Sequence, residues 1–328
     1  MMPFSNVSFP DIIGRDDRGC EDDALKHWKP MRQALGEIEA ASGSCSDDPD
    51  EFSCGTMEKD PRFIDKIVRN GRELHRLRDS EWCTVDEMSS VAITAHYHEV
   101  IATNNNSFIY APIRNPERVL FIGVGDGMAA IDVAERFPMA SVWGIDTADN
   151  FIMELPPNCS LQMDVFEPYL TFASDFFDYV HINNVNYRVE DLATLYSEAR
   201  RVLKPGGCVE HSETVVTVGT AAWNEFSSMR AKAAAITRKQ AIGYWHSTAH
   251  LERAEFQNVG WARTAIPATA FSCDIEGRVL PALEPLRLSA SYLNLLVDAM
   301  AADVMAHGAA QFATRGIVYG YKASQVNP

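Results

Sequence analysis

The chain has 328 residues, of which 46% are hydrophobic and 23% charged, and it carries a formal net charge of −16 at pH 7. That length and apolar content suffice for one full α/β core with additions, and an acidic surface without a lysine–arginine stripe argues against binding to nucleic acid or to anionic membranes. No run of about 18 apolar residues occurs, the amino terminus lacks a basic-then-apolar leader, and seven cysteines without C-x-x-C spacing predict reduced thiols, no metal site and a cytoplasmic protein.

In chain order, residues 1–60 are acidic and punctuated, with Glu21-Asp22-Asp23 and Ser46-Asp47-Asp48-Pro49-Asp50-Glu51. They predict a partly ordered arm in which Leu25 to Ile38 is one amphipathic stretch. Residues 61–110 pattern as a helical cap, with Ala95-His96-Tyr97-His98-Glu99 lying just before the core at 111–220. Residues 119–127, Val-Leu-Phe-Ile-Gly-Val-Gly-Asp-Gly, read as an apolar strand running into a glycine turn. A helix over Met128 to Phe137 follows, ended by Pro138, and a second strand, Ser141 to Ile145, terminates in Asp146. This is one βαβ unit with a nucleoside-sized site at its mouth.

The glycine spacing narrows the nucleoside. The dinucleotide fingerprint G-x-G-x-x-G would need glycine at 128, where the chain has Met128. The G-x-G-x-G of Gly123, Gly125 and Gly127 suits S-adenosylmethionine, which has no pyrophosphate to seat. Glycine there removes Cβ where the methionine moiety and ribose would press, and it permits φ > 0. Asp146 is placed to accept from both ribose hydroxyls. Leu161 to Asp164 looks like a third strand ending in an acid that either accepts from the adenine amine or caps the next turn. Phe176 to Ile182 reads as a buried central strand. A helix over roughly Val189 to Leu203, the turn Leu203-Lys204-Pro205-Gly206-Gly207 and a strand from Cys208 to His211 complete the alternation. Residues 221–328 predict a helix at Ala221–Ile242, a second ending at Phe256, irregular chain, a helix at Ala290–His307 and a closing strand, Gly316 to Lys322. The pattern is doubly wound α/β with a mostly parallel sheet.

Tyr110-Ala-Pro-Ile-Arg-Asn-Pro-Glu-Arg-Val-Leu120, the glycine loop, Ile131-Asp-Val-Ala-Glu-Arg-Phe-Pro138 and Leu203-Lys-Pro-Gly-Gly207 resemble class I S-adenosylmethionine-dependent methyltransferases, most of all the LaeA-like fungal group tied to secondary metabolism. Pro156-Pro157-Asn158-Cys159 and Phe177 to His181 follow the same pattern. The resemblance is strong over roughly 95–215 and absent from 1–60. It implies a seven-stranded Rossmann-like sheet with a helical N-terminal arm and a late helical lid insertion. It also implies S-adenosylmethionine as cofactor, held by Gly123, Gly125, Asp126 and Gly127, by Asp146, by Asp164 with Val165 around adenine, and by Asn183. Two departures stand out. Phe121 replaces the acid usual two residues before the first glycine, with Asp126 as a compensating loop acid. His181-Ile182-Asn183-Asn184 replaces His-Gly-Arg-Asn, so an arginine is lost at Asn183.

For substrate chemistry, the enzyme mainly has to position a nucleophile against the donor methyl, with a base near neutral pKa for a hydroxyl. The histidine candidates are His246, His181 and His211, with His250 in the same late segment as His246; for each, a satisfied core or surface residue is the stronger reading. Tyr244, Trp245 and Trp223 are candidates for lining a planar substrate, and Glu210 and Glu213 flank His211. The expected function is methylation of a small secondary metabolite at oxygen, nitrogen or carbon. The alternatives are a methyltransferase-fold protein that binds the cofactor yet catalyses a cyclisation or pericyclic step, and a LaeA-like regulatory partner protein. The expected partner is a small-molecule substrate, with no nucleic acid or membrane, and the helical arm is a surface for homodimer formation.

Overall fold

The computed structural model describes residues 66–76, 82–152, 154–216, 219–239, 244–266, 274–307 and 313–324. The expected arm at 1–60 and its stretch at Leu25 to Ile38 lie outside the described residues.

Where a helical cap was expected, the chain first makes a small antiparallel sheet of β1 (Lys66–Arg69), β2 (Arg72–Arg76) and β3 (Trp82–Thr84). The reason is local. Asn70 and Gly71 both sit at positive φ, 51° and 78°, and Asn-Gly is the strongest two-residue hairpin signal because both positions favour that region. The hairpin pairs Arg69 with Arg72 and Ile67 with Leu74, and Leu74 is wholly buried. Only the second part of 61–110 is helical: α1 (Glu87–Thr103) starts at Asp86, whose carboxylate accepts the Ser89 N–H at 3.0 Å.

The core follows the predicted alternation: β4 (Arg118–Ile122), α2 (Met128–Arg136), β5 (Ser141–Asp146), β6 (Cys159–Met163), β7 (Phe177–Asn183), α3 (Leu192–Val202) and β8 (Leu203–Val216). The Lys204-Pro205-Gly206-Gly207 turn is absorbed into β8, at the cost of a register shift against β7 between Phe177 and Tyr179. Next come α4 (Ala221–Thr237), α5 (Tyr244–Arg253), β9 (Phe256–Ile266), α6 (Ile275–Leu283), α7 (Ala290–His307) and β10 (Ala313–Lys322). The irregular chain expected after Phe256 is therefore an edge strand and a helix. Asp274 starts that helix by accepting the Gly277 N–H at 2.8 Å.

The seven-stranded sheet has the order β6-β5-β4-β7-β8-β10-β9. β10 runs antiparallel to both neighbours, and the other pairs are parallel. This is the Rossmann-like, mostly parallel sheet that the resemblance implied. Alternate residues of β4 face opposite layers. Val119 and Phe121 pack with α1 and α2, while Leu120 and Ile122 pack with Leu195 and Ala199 of α3 and Leu251 of α5. A third cluster joins Leu74, Trp223 and Phe226 of α4, Val279 and Leu283 of α6, and Leu296 and Met300 of α7. Arg72 ties this cap to α1 through ion pairs to Asp86 and to Asp274, the latter at 2.7 Å.

Candidate functional site

The carboxyl ends of β4, β5 and β7 meet where the strand order reverses, the place at which open α/β sheets bind ligands. A cavity of about 560 Å³ opens there, within the range usual for ligand sites. Its floor is Gly123, Gly125, Asp126 and Asp146; its walls are His96 and Tyr97 of α1, Asn183 to Arg188 after β7, and Glu213 of β8; its roof is α4 and α6.

Each loop glycine has positive φ: Gly123 75°, Gly125 66° and Gly127 97°. The expectation that all three make room for the cofactor needs correcting. A Cβ on Gly123 would stand 2.2 Å from the Asn183 carbonyl oxygen, and one on Gly127 would stand 2.3 Å from Leu161 Cδ1. Those two glycines let the protein pack on itself. Gly125 has its Cβ direction towards Ile93, at 3.0 Å, and its N–H donates to Asp146 Oδ2 at 2.9 Å.

Asp146 ends β5 at 3% exposure and faces the cavity. Its Oδ1 accepts the Ala148 N–H at 3.2 Å and also an N–H of Arg188, whose Nη2 reaches Thr147 as well. The Arg188 guanidinium lies 5.0 Å over the Phe166 ring. A guanidinium is thus supplied at the strand end where one seemed lost, from five residues beyond Asn183. Asn183 itself lines the cavity and bonds Gly123 O at 3.3 Å.

Asp126 is otherwise engaged. Thr94 donates to its Oδ2 at 2.6 Å and Met128 N–H to its Oδ1 at 3.1 Å. Burial raises its pKa. Both carboxylate oxygens are thus engaged at the start of α2, so the group does not stand free for an ammonium or sulfonium. Phe121 is a core residue at 1% exposure, 5.4 Å edge-on to His181. Asp164 accepts from the Val165 N–H and the Thr171 hydroxyl, each at 2.8 Å. Neither Asp164 nor Val165 lines the cavity, although Asp164 N–H donates to Asp146 O at 3.0 Å and so lies beside the ribose acid.

The histidine candidates separate. His181 is wholly buried between Phe108, Phe121 and Tyr179, with Glu210 Oε1 at 3.4 Å. Burial lowers its pKa and keeps it neutral. Glu210 accepts the Tyr110 and Ala111 N–H groups and the Tyr179 hydroxyl, the last at 2.7 Å, so this pair is an internal strut. His211 does not line the cavity either. Its Nδ1 takes the Tyr196 hydroxyl at 2.6 Å, and its Nε2 donates to Glu213 Oε1 at 2.9 Å, a tautomer assigned from this network. Glu213, whose Oε1 also accepts the Asn186 N–H at 2.9 Å, does face the cavity. The site residue in this group is therefore the carboxylate rather than either histidine.

Trp223 lines the cavity at 3% exposure, edge-on to Phe226 at 6.2 Å. Tyr244, Trp245 and His246 occupy the first turn of α5, and their side chains lie outside the described residues. That helix packs on α3, β9 and β10, whereas α4 and α6 supply the roof. The residues overlooked in the sequence are His96, Tyr187, Arg188, Arg230 and Arg278. Only Tyr187 and Arg188 carried a signal, since they follow the carboxyl end of a central strand.

These residues fit S-adenosylmethionine at its ribose: a buried acid at the end of β5 beside an open glycine backbone, with Arg188 sharing that acid. A family profile described as a methyltransferase domain matches residues 120–209. S-adenosylmethionine is the cofactor that this methyltransferase-domain match supports. The chain is similar to LaeA proteins. The secondary metabolism regulator LaeA of Aspergillus fumigatus is 30% identical over 218 residues, covering 64% of this chain and 53% of that protein. The protein-methionine methyltransferase LaeA of Emericella nidulans is 31% identical over 150 residues, covering 44% and 39%. The chain spans about half the length of the curated relatives it matches. Among solved structures, a phosphoethanolamine N-methyltransferase of Haemonchus contortus aligns over 80% of this chain and 71% of its own, with 17% identity and a TM-score of 0.46. Among the described residues, no helix is long and apolar enough to cross a membrane.

Proposed function

We propose that the chain is a methyltransferase whose acceptor is a small molecule held between the glycine loop and the helical roof. The observation that carries this reading is a cavity lined both by Gly125 and Asp146 and by Trp223, Phe226 and Arg230, so an acceptor under the roof shares its space with the donor site. When bound, the cofactor supplies an electrophilic methyl group. The chain's own part is to bind and orient. Asp146 would hold the ribose hydroxyls in place of Arg188. α4 and α6 cover the acceptor and exclude water. Glu213 receives the proton that an attacking hydroxyl or amine gives up, its carboxylate aimed by His211, which is held in turn by the Tyr196 hydroxyl.

The name of the Emericella nidulans relative favours a second reading, methylation of a methionine side chain in a protein. A thioether has no proton to give up, so Glu213 would be idle in that reaction. The test is incubation of the purified chain with methyl-labelled cofactor and a fungal extract, followed by separation of small molecules from protein. Label in the small-molecule fraction supports the first reading. Label in protein alone overturns it for the second, and saturating cofactor occupancy without any transfer points to the non-methylating alternative.

A further inference from the structure

The roof of the cavity gathers positive charge. Trp223, Phe226, Arg230, Ala234 and Thr237 repeat at helical spacing and turn one face of α4 to the cavity, with Lys239 just beyond its end. Arg278 of α6 joins them on the lining. The acids on the same walls are already engaged: Asp146 by Arg188, Asp126 by Thr94, Asp274 by Arg72, and Glu213 by His211 and the Asn186 N–H. Lys239 has Glu190 at 3.7 Å.

Arg230 is the exception. Its guanidinium lies 3.9 Å over the Tyr187 ring, and Nη2 makes one long contact to Asn186 O at 3.4 Å. Its Nε is buried with no hydrogen-bond partner, and among the described residues no carboxylate pairs with it. Burial pushes this guanidinium down to about 10; the charge of Glu213 opposes that shift and Arg278 adds to it. A half-buried guanidinium whose Nε is enclosed without a partner is unfavourable unless something compensates it. Tyr187, which stacks beneath it, is itself held at φ 63°, an unfavourable backbone for an aromatic residue. Strain and a guanidinium with no ion-pair partner thus coincide at one spot on the cavity wall.

We propose that the acceptor is a small flat acid whose oxyanion docks on the Arg230 fork, with Arg278 and Lys239 adding charge and Trp223 and Phe226 lining its apolar body. A planar guanidinium binds carboxylate or phosphate in the same two-pronged way. This rests on the functional reading above for the word acceptor, while the anion site itself does not.

The experiment uses the full chain without cofactor and three probes of one shape: 4-hydroxybenzoate, phenyl phosphate and the neutral 4-hydroxybenzamide, titrated by calorimetry or ligand-observed NMR. Both acids bind at least about tenfold tighter than the amide, and the tighter of the two identifies the oxyanion. Arg230→Met weakens the acids by roughly 30-fold, leaves the amide unchanged and melts no lower than the parent, because it removes a half-buried guanidinium that no carboxylate pairs with. Arg230→Lys keeps the preference for acids at reduced affinity. Equal binding of acid and amide by the parent overturns the proposal, as does a Lys variant that has lost the preference. A Met variant that melts more than about 5 °C lower does the same, since it assigns Arg230 to holding Tyr187. A chain that prefers acids yet transfers no methyl group keeps this site and loses the functional reading. One that methylates neutral acceptors without preferring acids does the reverse.

Discussion

Arg188→Leu should tighten cofactor binding, although the substitution removes a charged side chain from the site. In the structure Arg188 occupies Asp146 Oδ1 and Thr147 Oγ1, where ribose hydroxyls would otherwise bond. The pair is partly buried, with side-chain exposures of 24% and 4%. Discounted for solvent at the arginine end, it contributes about 1 kcal/mol. Cofactor binding must displace it, so its removal should lower the dissociation constant about fivefold. Asp146→Asn should act the other way: the loss of charge-assisted bonds to both ribose hydroxyls costs roughly 2–3 kcal/mol, on the order of 50-fold. In the Asn background the gain from Arg188→Leu should vanish, because the interaction it relieved is gone, and the two effects will not add. Calorimetric titration of the four proteins with S-adenosylhomocysteine measures the cycle. Weaker binding by Arg188→Leu in the parent background would refute the displacement argument and make Arg188 a support for the loop at 183–188.

Glu213→Gln should reduce turnover by at least about 100-fold while leaving cofactor affinity intact; unchanged turnover in a labelled-donor assay removes Glu213 as proton acceptor. Gly123→Ala places a Cβ 2.2 Å from the Asn183 carbonyl at φ 75°, which should cost about 2–4 kcal/mol in urea denaturation. His96 is half-buried with its Nε2 enclosed, and desolvation, with the charges of Arg278 and Arg315, pushes it down to about 3. Its unfolded pKa is higher, so the stability it contributes is complete above about pH 6.5 and is lost as the pH falls towards the folded value. The parent should therefore lose stability relative to His96→Leu between about pH 7 and about pH 5, by up to about 1.4 kcal/mol per pH unit. Parallel urea midpoints for the two proteins would contradict this.

The β4–α2–β5 unit was legible because its information is local: an apolar run, glycines at fixed offsets, a proline stop and an acid at the strand end all lie within 119–146. The β1–β2 hairpin was equally local, yet its Asn70-Gly71 signal lay inside a stretch whose apolar residues also fit a helical period. The site beyond the cofactor loop was not legible, because its meaning depends on partners far along the chain. His181 and His211 look catalytic as histidines near strand ends; only the approach of Phe108, Tyr196 and Arg315 shows that both are enclosed. Arg230 reads as one more polar residue on an amphipathic helix until Tyr187 and α6 close over it. Sequence distance also hid the roof, which draws on α4 and α6 but leaves α5 against the sheet.

β10 follows β9 in the chain but lies between β8 and β9 in the sheet. During synthesis β9 therefore emerges before the strand it pairs with, and the β8 edge stays open until residues 313–322 have been made. Arg315 arrives with that strand and completes the buried contacts around Glu210 and Ser212, the latter at 3.0 Å. Closure of the sheet and charge compensation at its centre thus happen in one event. Shortening the chain into β10 should abolish the whole fold rather than trim one edge, and a nascent chain halted before residue 313 should remain a substrate for chaperones.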